Sequence, residues 1–283
     1  MFFWKYNPAK KISANIIKFL RIPFHKIYQD LRFKGKFFVK IDNKRLYLFH
    51  HFHTNIENEI FWKGINNGWE KETIKLWRKL SINADYIIDI GANTGIYSLL
   101  SKLTNPESKV YSFEPSKNTF EKLKQNFLIN NFSDENLFDL AISNKDGKAT
   151  FFDYDIDHQY SASLEEEMSK FNKDVAKKNY IVHTIRLDSF IEQHNIKKID
   201  VELHEYKVLE GMGKYFESFR PIIIIEILNN SIGARIEEFV TPHNYDFYII
   251  SDKEGLIKSA NIICSDYPNW ILMPNKTKAN NEK

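Results

Sequence analysis

The chain has 283 residues and a net charge of only +3, with 43% hydrophobic and 15% aromatic residues. This composition is typical of a folded protein and excludes a disordered chain, and a single cysteine, Cys264, excludes an internal disulfide framework. The longest apolar run, residues 222–225, is far below the roughly 20 residues that cross a bilayer, so no transmembrane helix is predicted. No secretory signal is recognised, and the sequence favours a cytoplasmic location.

Positive charge is concentrated near the start of the chain. Through Arg45 there are twelve lysines and arginines against two aspartates. Residues 10–31 have the pattern of a basic amphipathic helix or helix pair, interrupted by Pro23. Two interpretations stay open. The segment either contacts an anionic membrane at the inner face of the cell membrane, or glycan-assembly proteins there, or it is a lid packed on the core by its apolar side with lysines in water.

The segment up to residue 80 predicts a hairpin followed by two helices. Residues 36–49 alternate as two strands joined by an Asp-Asn turn. The histidines after it, His50, His51 and His53, lack the partner cluster of a zinc site, so a solvated loop or a substrate contact is favoured. Gly64 and Gly68 separate two helices over residues 55–80. Trp62 and Trp69 there either stack on a sugar or anchor the core.

The stretch over residues 86–98, YIIDIGANTGIYS, predicts a buried strand, a glycine turn and the start of a helix. Its glycine spacing excludes the dinucleotide fingerprint, and no P-loop run is present. Asp89 followed by Gly91 and Gly95 resembles the motif of class I S-adenosylmethionine (SAM) methyltransferases, in which the glycine turn approaches the amino-acid end of SAM. Glycine allows such an approach because it lacks a Cβ atom.

The next strand supports the same interpretation. Residues 109–113 form a short strand that ends at Glu114 and Pro115, about 20 residues after the turn, where nucleotide-binding α/β folds place a carboxylate for the ribose hydroxyls. A carboxylate accepts the two hydrogen bonds that a diol donates. A third strand is predicted over residues 137–142, which makes Ala141 a candidate contact for the adenine base.

The remaining pattern alternates strands and helices. Strands are predicted at residues 149–154, 180–187, 197–201, 221–228, 245–250 and 269–273, helices at 118–130, 189–194 and 206–212, a hairpin-type turn at 143–147 and a mobile surface insertion at 155–179. The strand at 197–201 ends among the ionisable residues Asp200, Glu202 and His204, and the carboxyl edge of a parallel sheet is where ligands bind. Asp200 and Glu202 with Glu226 would suit Mg²⁺, but nothing in their spacing requires a metal and none is predicted.

The motifs together carry a family resemblance. The segments YIIDIGANTGIYS, FEP, AISNKDGKATF, RLDSFI, KKIDVELHEYKVLEGM and PIIIIEI occur in the order seen in FkbM-type SAM-dependent methyltransferases, over roughly residues 55–250. The resemblance implies an α/β fold with a Rossmann-like, mostly parallel, seven-stranded sheet and helices on both faces. It implies that SAM is bound by Asp89, Gly91, Asn93, Gly95 and Glu114. It also implies that Asp200, Glu202 and His204 border the acceptor. Leu203 stands where the family commonly has glycine.

We therefore expect a basic extension over residues 1–54, a SAM-dependent methyltransferase domain over 55–274 and a polar tail over 275–283. The expected reaction is O-methylation of a hydroxyl, on a sugar of a surface polysaccharide or its precursor, with His204 as general base and Glu202 or Asp200 as its orienter or substitute. Methylation of a small natural product, and a SAM-fold scaffold without turnover, are the alternatives. The catalytic run of nucleic-acid methyltransferases is absent, so no nucleic-acid partner is expected. The oligomeric state is not predicted.

Overall fold

The computed structural model describes residues 8–19, 31–52, 54–154, 177–199, 201–204 and 206–275, the side chains of 8–9, 153–154, 177–178 and 201–204 excepted. Its centre is an eight-stranded sheet. Five neighbouring strands run parallel, in the order β5 (Leu137–Phe138), β4 (Lys109–Phe113), β3 (Tyr86–Ile90), β9 (Val201–His204) and β10 (Ile222–Glu226). Three antiparallel strands follow β10, in the order β13 (Asn269–Pro274), β11 (Tyr245–Ser251) and β12 (Gly255–Ser259). The sheet therefore has eight strands instead of seven, because β12 folds back on β11 at its edge.

The central strands are buried on both faces, as expected for parallel strands covered by helices. In β3, Ile87 and Ile88 are both fully buried but belong to two different apolar clusters. Successive strand residues point to opposite faces, so these clusters are the two sides of the sheet. One side carries α3 (Lys71–Ser81), α4 (Ile96–Thr104) and α5 (Lys117–Ile129), and the other carries α6 (Leu187–Gln193), α7 (Tyr206–Met212), α8 (Lys214–Phe219) and α9 (Asn230–Val240), which a 3₁₀ turn at Thr241–His243 follows.

A hairpin near the start of the chain adds to the first of these cores. Strands β1 (Lys34–Ile41) and β2 (Lys44–His51) pair antiparallel around Asp42, whose φ of 52° suits a tight turn. Helix α2 (Asn55–Lys63) follows, and apolar residues of the hairpin, α2 and the central sheet form one cluster. His50 is fully buried and bonded to Asn58 at 3.2 Å, so the expectation of a solvated loop is wrong for this residue.

Helix α1 (Pro8–Phe19) packs in an orientation that neither sequence interpretation predicts. Ala14 is fully buried, and Lys18 donates to the carbonyl oxygen of Phe61 with its ammonium group 4.4 Å from that ring's centroid. Phe61 lies in the last turn of α2, where carbonyl groups favour a cation. Three apolar side chains of α1 are exposed: Ile12, Ile16 and Phe19, at 60%, 52% and 84%. No helix in the described ranges is long and apolar enough to cross a membrane.

The segment after β5 departs from the predicted third strand. Residues 137–142 divide into β5 in the main sheet and β6 (Ala141–Ser143) in a second, three-stranded sheet, because the chain leaves the main sheet at Asp139 and Leu140. Strand β7 (Gly147–Tyr154) does not pair with β6 as a hairpin. Both pair instead with β8 (Lys177–Arg186), which lies between them. Most of the predicted insertion at 155–179 lies outside the described residues.

The chain after residue 196 differs from the sequence prediction in its strands and helices. Strand β9 begins at Val201, so Glu202 and His204 lie within the strand rather than beyond it. Strand β12 and helices α8 and α9 were not predicted. Cys264 is exposed. The tail from residue 276 lies outside the described residues, and the predicted boundary after residue 54 stays a prediction.

Candidate functional site

A cavity of about 390 Å³ opens along the carboxyl edge of the parallel strands. Its lining follows the strand order, from Ala141 beyond β5, through Glu114 after β4 and Gly91 after β3, to Glu226 at the end of β10. Asn269 continues the line, because it pairs with Glu226 at the start of the antiparallel β13. Neighbouring strands are about 4.8 Å apart, so β4 and β10 are about 14 Å apart across the edge. The cavity is therefore long enough to have two distinct ends.

The glycine turn closes the first end. The amides of Gly91 and Ala92 both donate to the carbonyl oxygen of Phe113, at 2.9 Å each, which fixes the turn against the neighbouring strand β4. Gly91 has a φ of 73° and Asn93 a φ of 52°, and both line the cavity. A Cβ atom at Gly91 would have no neighbour within 4 Å, so the open space beside this glycine belongs to the cavity.

Glu114 is fixed by the backbone around it. Its side chain is 7% exposed, and its two carboxylate oxygens accept from the amides of Asn93 at 2.9 Å and Ser116 at 2.8 Å. Each carboxylate oxygen has a second acceptor site, which leaves room for bonds from a ligand. The carboxylate thus connects the glycine turn to β4 and presents its remaining lone pairs to the cavity it lines.

Asp89 supports the glycine turn from the protein interior. It is fully buried and does not line the cavity, and one carboxylate oxygen accepts from the amide and the hydroxyl of Ser98, at 3.0 and 2.5 Å. The hydroxyl of Ser98 is also 2.7 Å from that of Ser112. Burial raises the pKa of Asp89 to about 6, and the bonds from Ser98 oppose that rise. This placement joins β3, α4 and β4, so the predicted contact with SAM would have to be indirect.

Gly95 meets a different constraint from Gly91. It has a φ of 89°, and a Cβ atom there would lie 2.3 Å from Cδ1 of Leu123 on α5. Any other residue at Gly95 would thus be strained by the positive φ and would displace the side chain of Leu123 on α5. Gly95 is absent from the described lining of the cavity.

Asn126 braces the same turn from the hairpin side. Its fully buried side-chain amide donates to the carbonyl oxygen of Thr94 at 2.8 Å, and its oxygen accepts from the amide of Phe49 at 2.9 Å. One side chain thereby connects β2, α5 and the glycine turn. The hairpin near the start of the chain is in this way part of the support of the site.

Apolar residues line the cavity beyond Glu114. Leu140, Ala141 and Ile142 come from the link between the two sheets, and Phe113 and Phe151 lie on either side of them. Ala141 is 5% exposed. The predicted adenine contact is therefore among residues that could pack against a flat ring, although Ala141 belongs to the second sheet.

The other end of the cavity has a different chemistry. It is lined by Trp69, Glu70, Tyr97, Glu226 and Asn269. The hydroxyl of Tyr97 donates to a carboxylate oxygen of Glu70, and the ring of Tyr97 lies 5.6 Å from that of Trp69. Trp69 is thus at a place where it can contact an acceptor. Trp62 is not in the lining and packs on Phe61, with ring centroids 5.0 Å apart.

Desolvation dominates the electrostatics of this end. It raises the pKa of Glu70 to about 7, with smaller contributions from Tyr97, which lowers the pKa, and from Glu226, which raises it. Desolvation likewise raises the pKa of Glu226. The pKa of Tyr97 is raised well above 10 by burial and by Glu70, so Tyr97 stays protonated and acts as a hydrogen-bond donor.

The predicted catalytic residues lie between the two ends in the strand order. His204 is in register with Ile225, and Glu202 with Ile88 and Ile223, so β9 delivers its carboxyl end to the same edge. The side chains of Glu202 and His204, and all of Asp200, are outside the described residues. Their roles stay predictions. No group of three His, Cys, Asp or Glu side chains suited to a metal occurs among the residues described.

Sequence reasoning missed Glu70 and Asn269 as site residues. Glu70 precedes α3 and Asn269 begins β13, so neither follows a parallel strand in the sequence. Only the pairing of β13 with β10 brings Asn269 to the edge. The sequence signal that could have indicated Glu70 was its neighbour Trp69, which was a candidate sugar contact.

A glycine turn followed by a carboxylate, at the carboxyl edge of a parallel sheet, is the arrangement with which Rossmann-like α/β proteins bind nucleoside-containing cofactors. The sequence profile of the Methyltransferase FkbM domain matches residues 89–247, which is more than half of the chain. The chain belongs to this family of SAM-dependent methyltransferases, as the sequence motifs predicted.

The chain is similar to three other methyltransferases. Methyltransferase sdnD of Sordaria araneosa is 24% identical over 190 residues, 57% of this chain and 73% of its own length. Hexuronic acid methyltransferase AglP of Haloferax volcanii is 25% identical over 175 residues, 59% of this chain and 66% of its own. The crystal structure of a methyltransferase FkbM from Methylobacillus flagellatus KT has a TM-score of 0.40 and 10% identity, covering 67% of this chain and 43% of that one.

Proposed function

We propose that the chain binds SAM along the first end of the cavity and transfers its methyl group to a hydroxyl oxygen of a sugar held at the second end. The sugar would belong to a surface polysaccharide or its precursor. The observation that carries this proposal is that one continuous cavity is lined by the glycine turn and Glu114 at one end and by Trp69 and paired polar side chains at the other.

The residues at the first end fit the chemistry of SAM. The lone pairs of Glu114 suit the two ribose hydroxyls, because the backbone amides already hold the carboxylate in place. Gly91 leaves space where a side chain would fill the cavity, and the apolar residues around Ala141 suit an adenine ring. SAM, when bound, supplies a methyl group already activated by the sulfonium. The protein has then to orient an acceptor oxygen and remove its proton.

A sugar acceptor is supported by the second end and by one relative. Trp69 offers an aromatic face beside hydrogen-bonding groups on Glu70, Glu226 and Asn269, and an aromatic face with polar neighbours suits the apolar and hydroxyl faces of a sugar. The similar protein from Haloferax volcanii is named as a hexuronic acid methyltransferase. The sequence motif alone predicts His204 as the base, with Glu202 or Asp200, whereas the described residues of the cavity also offer Glu70.

The test is methyl transfer from isotopically labelled SAM to purified saccharides, with products read by mass spectrometry. We expect the wild-type protein to add one methyl group to a hydroxyl of at least one saccharide, and Glu114→Ala to lose that activity together with SAM binding. Glu121→Ala is the matched control, because Glu121 is an exposed carboxylate on the helix that follows Glu114. A folded wild-type protein that binds no SAM would contradict the proposal.

A further inference from the structure

Glu70 and Tyr97 form a pair in the cavity, and Glu70 lies outside every motif that marks the family, whereas Tyr97 belongs to the motif at residues 86–98. Glu70 precedes the matched region of residues 89–247, and Tyr97 follows the glycine turn on α4. Both line the cavity, and the hydroxyl of Tyr97 donates to the carboxylate of Glu70. The side chain of Asn269 also hydrogen-bonds to this carboxylate, and a carboxylate oxygen can accept more than one hydrogen bond, so an acceptor hydroxyl can still bind to it.

The backbone at Glu70 is held in an unusual conformation. Its φ of 45° and ψ of 42° are left-handed, a conformation that non-glycine residues rarely adopt. Its carbonyl oxygen accepts from the amide of Ile74 at 2.8 Å, which fixes the residue at the start of α3. Tyr97 is itself fixed, because its carbonyl oxygen accepts from the indole of Trp77 at 2.9 Å. Glu70 thus enters the cavity from the start of α3, and its partner Tyr97 enters it from α4.

Charge at this end is predominantly negative. Glu70 and Glu226 both line the cavity, Asp252 adds a third carboxyl nearby, and the negative charges of Glu226 and Asp252 act on Glu70. Lys207 is the one basic side chain among the described lining residues. An acceptor carrying its own carboxylate would add a like charge to this compartment, which costs free energy in a desolvated site. An acceptor with only uncharged hydroxyl groups would add no such charge.

We propose that Glu70, positioned by Tyr97, is the general base that removes the proton of the acceptor, and that this end of the cavity selects an uncharged sugar hydroxyl over a hexuronate. This inference rests on the proposed methyl transfer and names its base and its acceptor class. As the acceptor oxygen forms its bond to the methyl carbon, the bond from that carbon to sulfur breaks. The hydroxyl proton passes to Glu70, which releases it to solvent.

Protonation of Glu70 gives the proposal a pH signature. Its pKa is raised to about 7, so the basic carboxylate form is populated above that pH and lost below it. The rate of methyl transfer at saturating acceptor should therefore rise with pH through about 7. The hydrogen bond from Tyr97 lowers the pKa of Glu70, so Tyr97→Phe should move this rise to higher pH while retaining activity above it.

The experiment compares wild type, Glu70→Gln, Tyr97→Phe and Glu72→Gln, with labelled SAM and two sets of probes, neutral methyl hexosides and the matching methyl hexuronosides. Glu72→Gln is the control, because Glu72 lies on the same helix but pairs with Lys75 at 3.2 Å on the surface. We expect Glu70→Gln to bind SAM as wild type does, and to lose about 10²–10⁴-fold in kcat together with the rise near pH 7.

The outcomes separate this inference from the proposed function. Turnover of Glu70→Gln with the wild-type rate and pH profile would overturn the role of Glu70 while leaving methyl transfer intact. Preference of the wild type for hexuronosides, or methylation of neither set by a protein that binds SAM, would overturn the acceptor class. Absence of SAM binding by folded wild type would remove the proposed function itself. Equal SAM affinity in all four proteins excludes a general loss of structure in the variants.

Discussion

The two ends of the cavity are built on different physical principles. At the first end, Glu114 accepts hydrogen bonds from two backbone amides, and the backbone at Gly91 and Asn93 forms part of the cavity wall. At the second end, side chains from α3, α4, β10 and β13 meet, and desolvation raises the pKa values of Glu70 and Glu226. A carboxylate fixed by backbone amides suits binding, whereas one with a pKa raised to about 7, such as Glu70, can exchange a proton near neutrality. The comparison therefore separates a binding end from a proton-transfer end.

Removing Glu114 should have the largest effect and be confined to the first end. In Glu114→Ala the amides of Asn93 and Ser116 lose their acceptor, and the ribose hydroxyls lose theirs. Two lost bonds to a charged group correspond to about 3 kcal/mol or more, so we expect SAM affinity to fall by at least about 100-fold. Binding calorimetry checks this. Unchanged affinity would place the cofactor elsewhere.

Asn126→Ala tests whether the hairpin supports the first end. The substitution leaves the carbonyl of Thr94 and the amide of Phe49 unsatisfied in the core, so we expect a loss of about 2–4 kcal/mol in the free energy of unfolding, with weaker SAM binding. Urea unfolding and calorimetry measure the two effects.

The matched control for this prediction is Asn130→Ala. Asn130 also bonds α5 to β2, through the amide and carbonyl of Tyr47 at 2.8 and 2.7 Å, but it does not bond to the glycine turn. It should lose stability without losing SAM affinity once folded. Equal losses of affinity in both variants would mean that the hairpin affects the site only through general stability.

Substituting the two glycines of the turn should have different effects, on protein stability at Gly95 and on SAM binding at Gly91. Gly95→Ala places a methyl group 2.3 Å from Leu123, so we expect destabilisation of about 1–3 kcal/mol, partly relieved by Leu123→Ala in the double variant. Gly91→Ala meets no neighbour and should cost about 1 kcal/mol in stability while weakening SAM binding more strongly. Thermal unfolding with and without SAM distinguishes them. The reverse ranking would contradict our assignment of the two positions.

Asp89 should make the free energy of unfolding depend on pH. Folding raises its pKa from 3.8 to about 6, so the folded state holds the proton more tightly than the unfolded chain. Its contribution to stability is therefore greatest below about pH 4, falls as the pH rises to about 6 and is constant above, by about 3 kcal/mol in all. Asp89→Asn should reduce this fall in urea unfolding at several pH values, whereas Asp85→Asn, at the exposed start of the same strand, should not. Parallel curves for wild type and Asp89→Asn would contradict the prediction.

The first end was predictable from sequence because its parts are local. A strand, a turn and a helix start are consecutive in residues 86–98, and Glu114 follows the next strand directly. The second end could not be predicted in this way. Glu70 and Asn269 come from opposite sides of the family region and meet only because β13 pairs antiparallel with β10.

Other misses have equally local causes. Residues 137–142 are apolar enough for one strand, but the chain leaves the main sheet between Phe138 and Ala141, and periodicity does not reveal a change of sheet. Strand β12 is short and lies at the sheet edge with no fully buried residue, so its apolar pattern is weak. Lys18 of α1 contacts a carbonyl oxygen and the aromatic ring of Phe61, which no helical period predicts.

The most direct test of the division between the two ends is a calorimetric titration of SAM into three proteins: wild type, Glu114→Ala and Glu70→Gln. We expect wild type and Glu70→Gln to bind SAM with the same affinity, and Glu114→Ala to show no measurable binding although it folds. Equal loss of binding in Glu70→Gln would show that the cavity is not divided as described. Retained binding in Glu114→Ala would contradict the central assignment of the cofactor end.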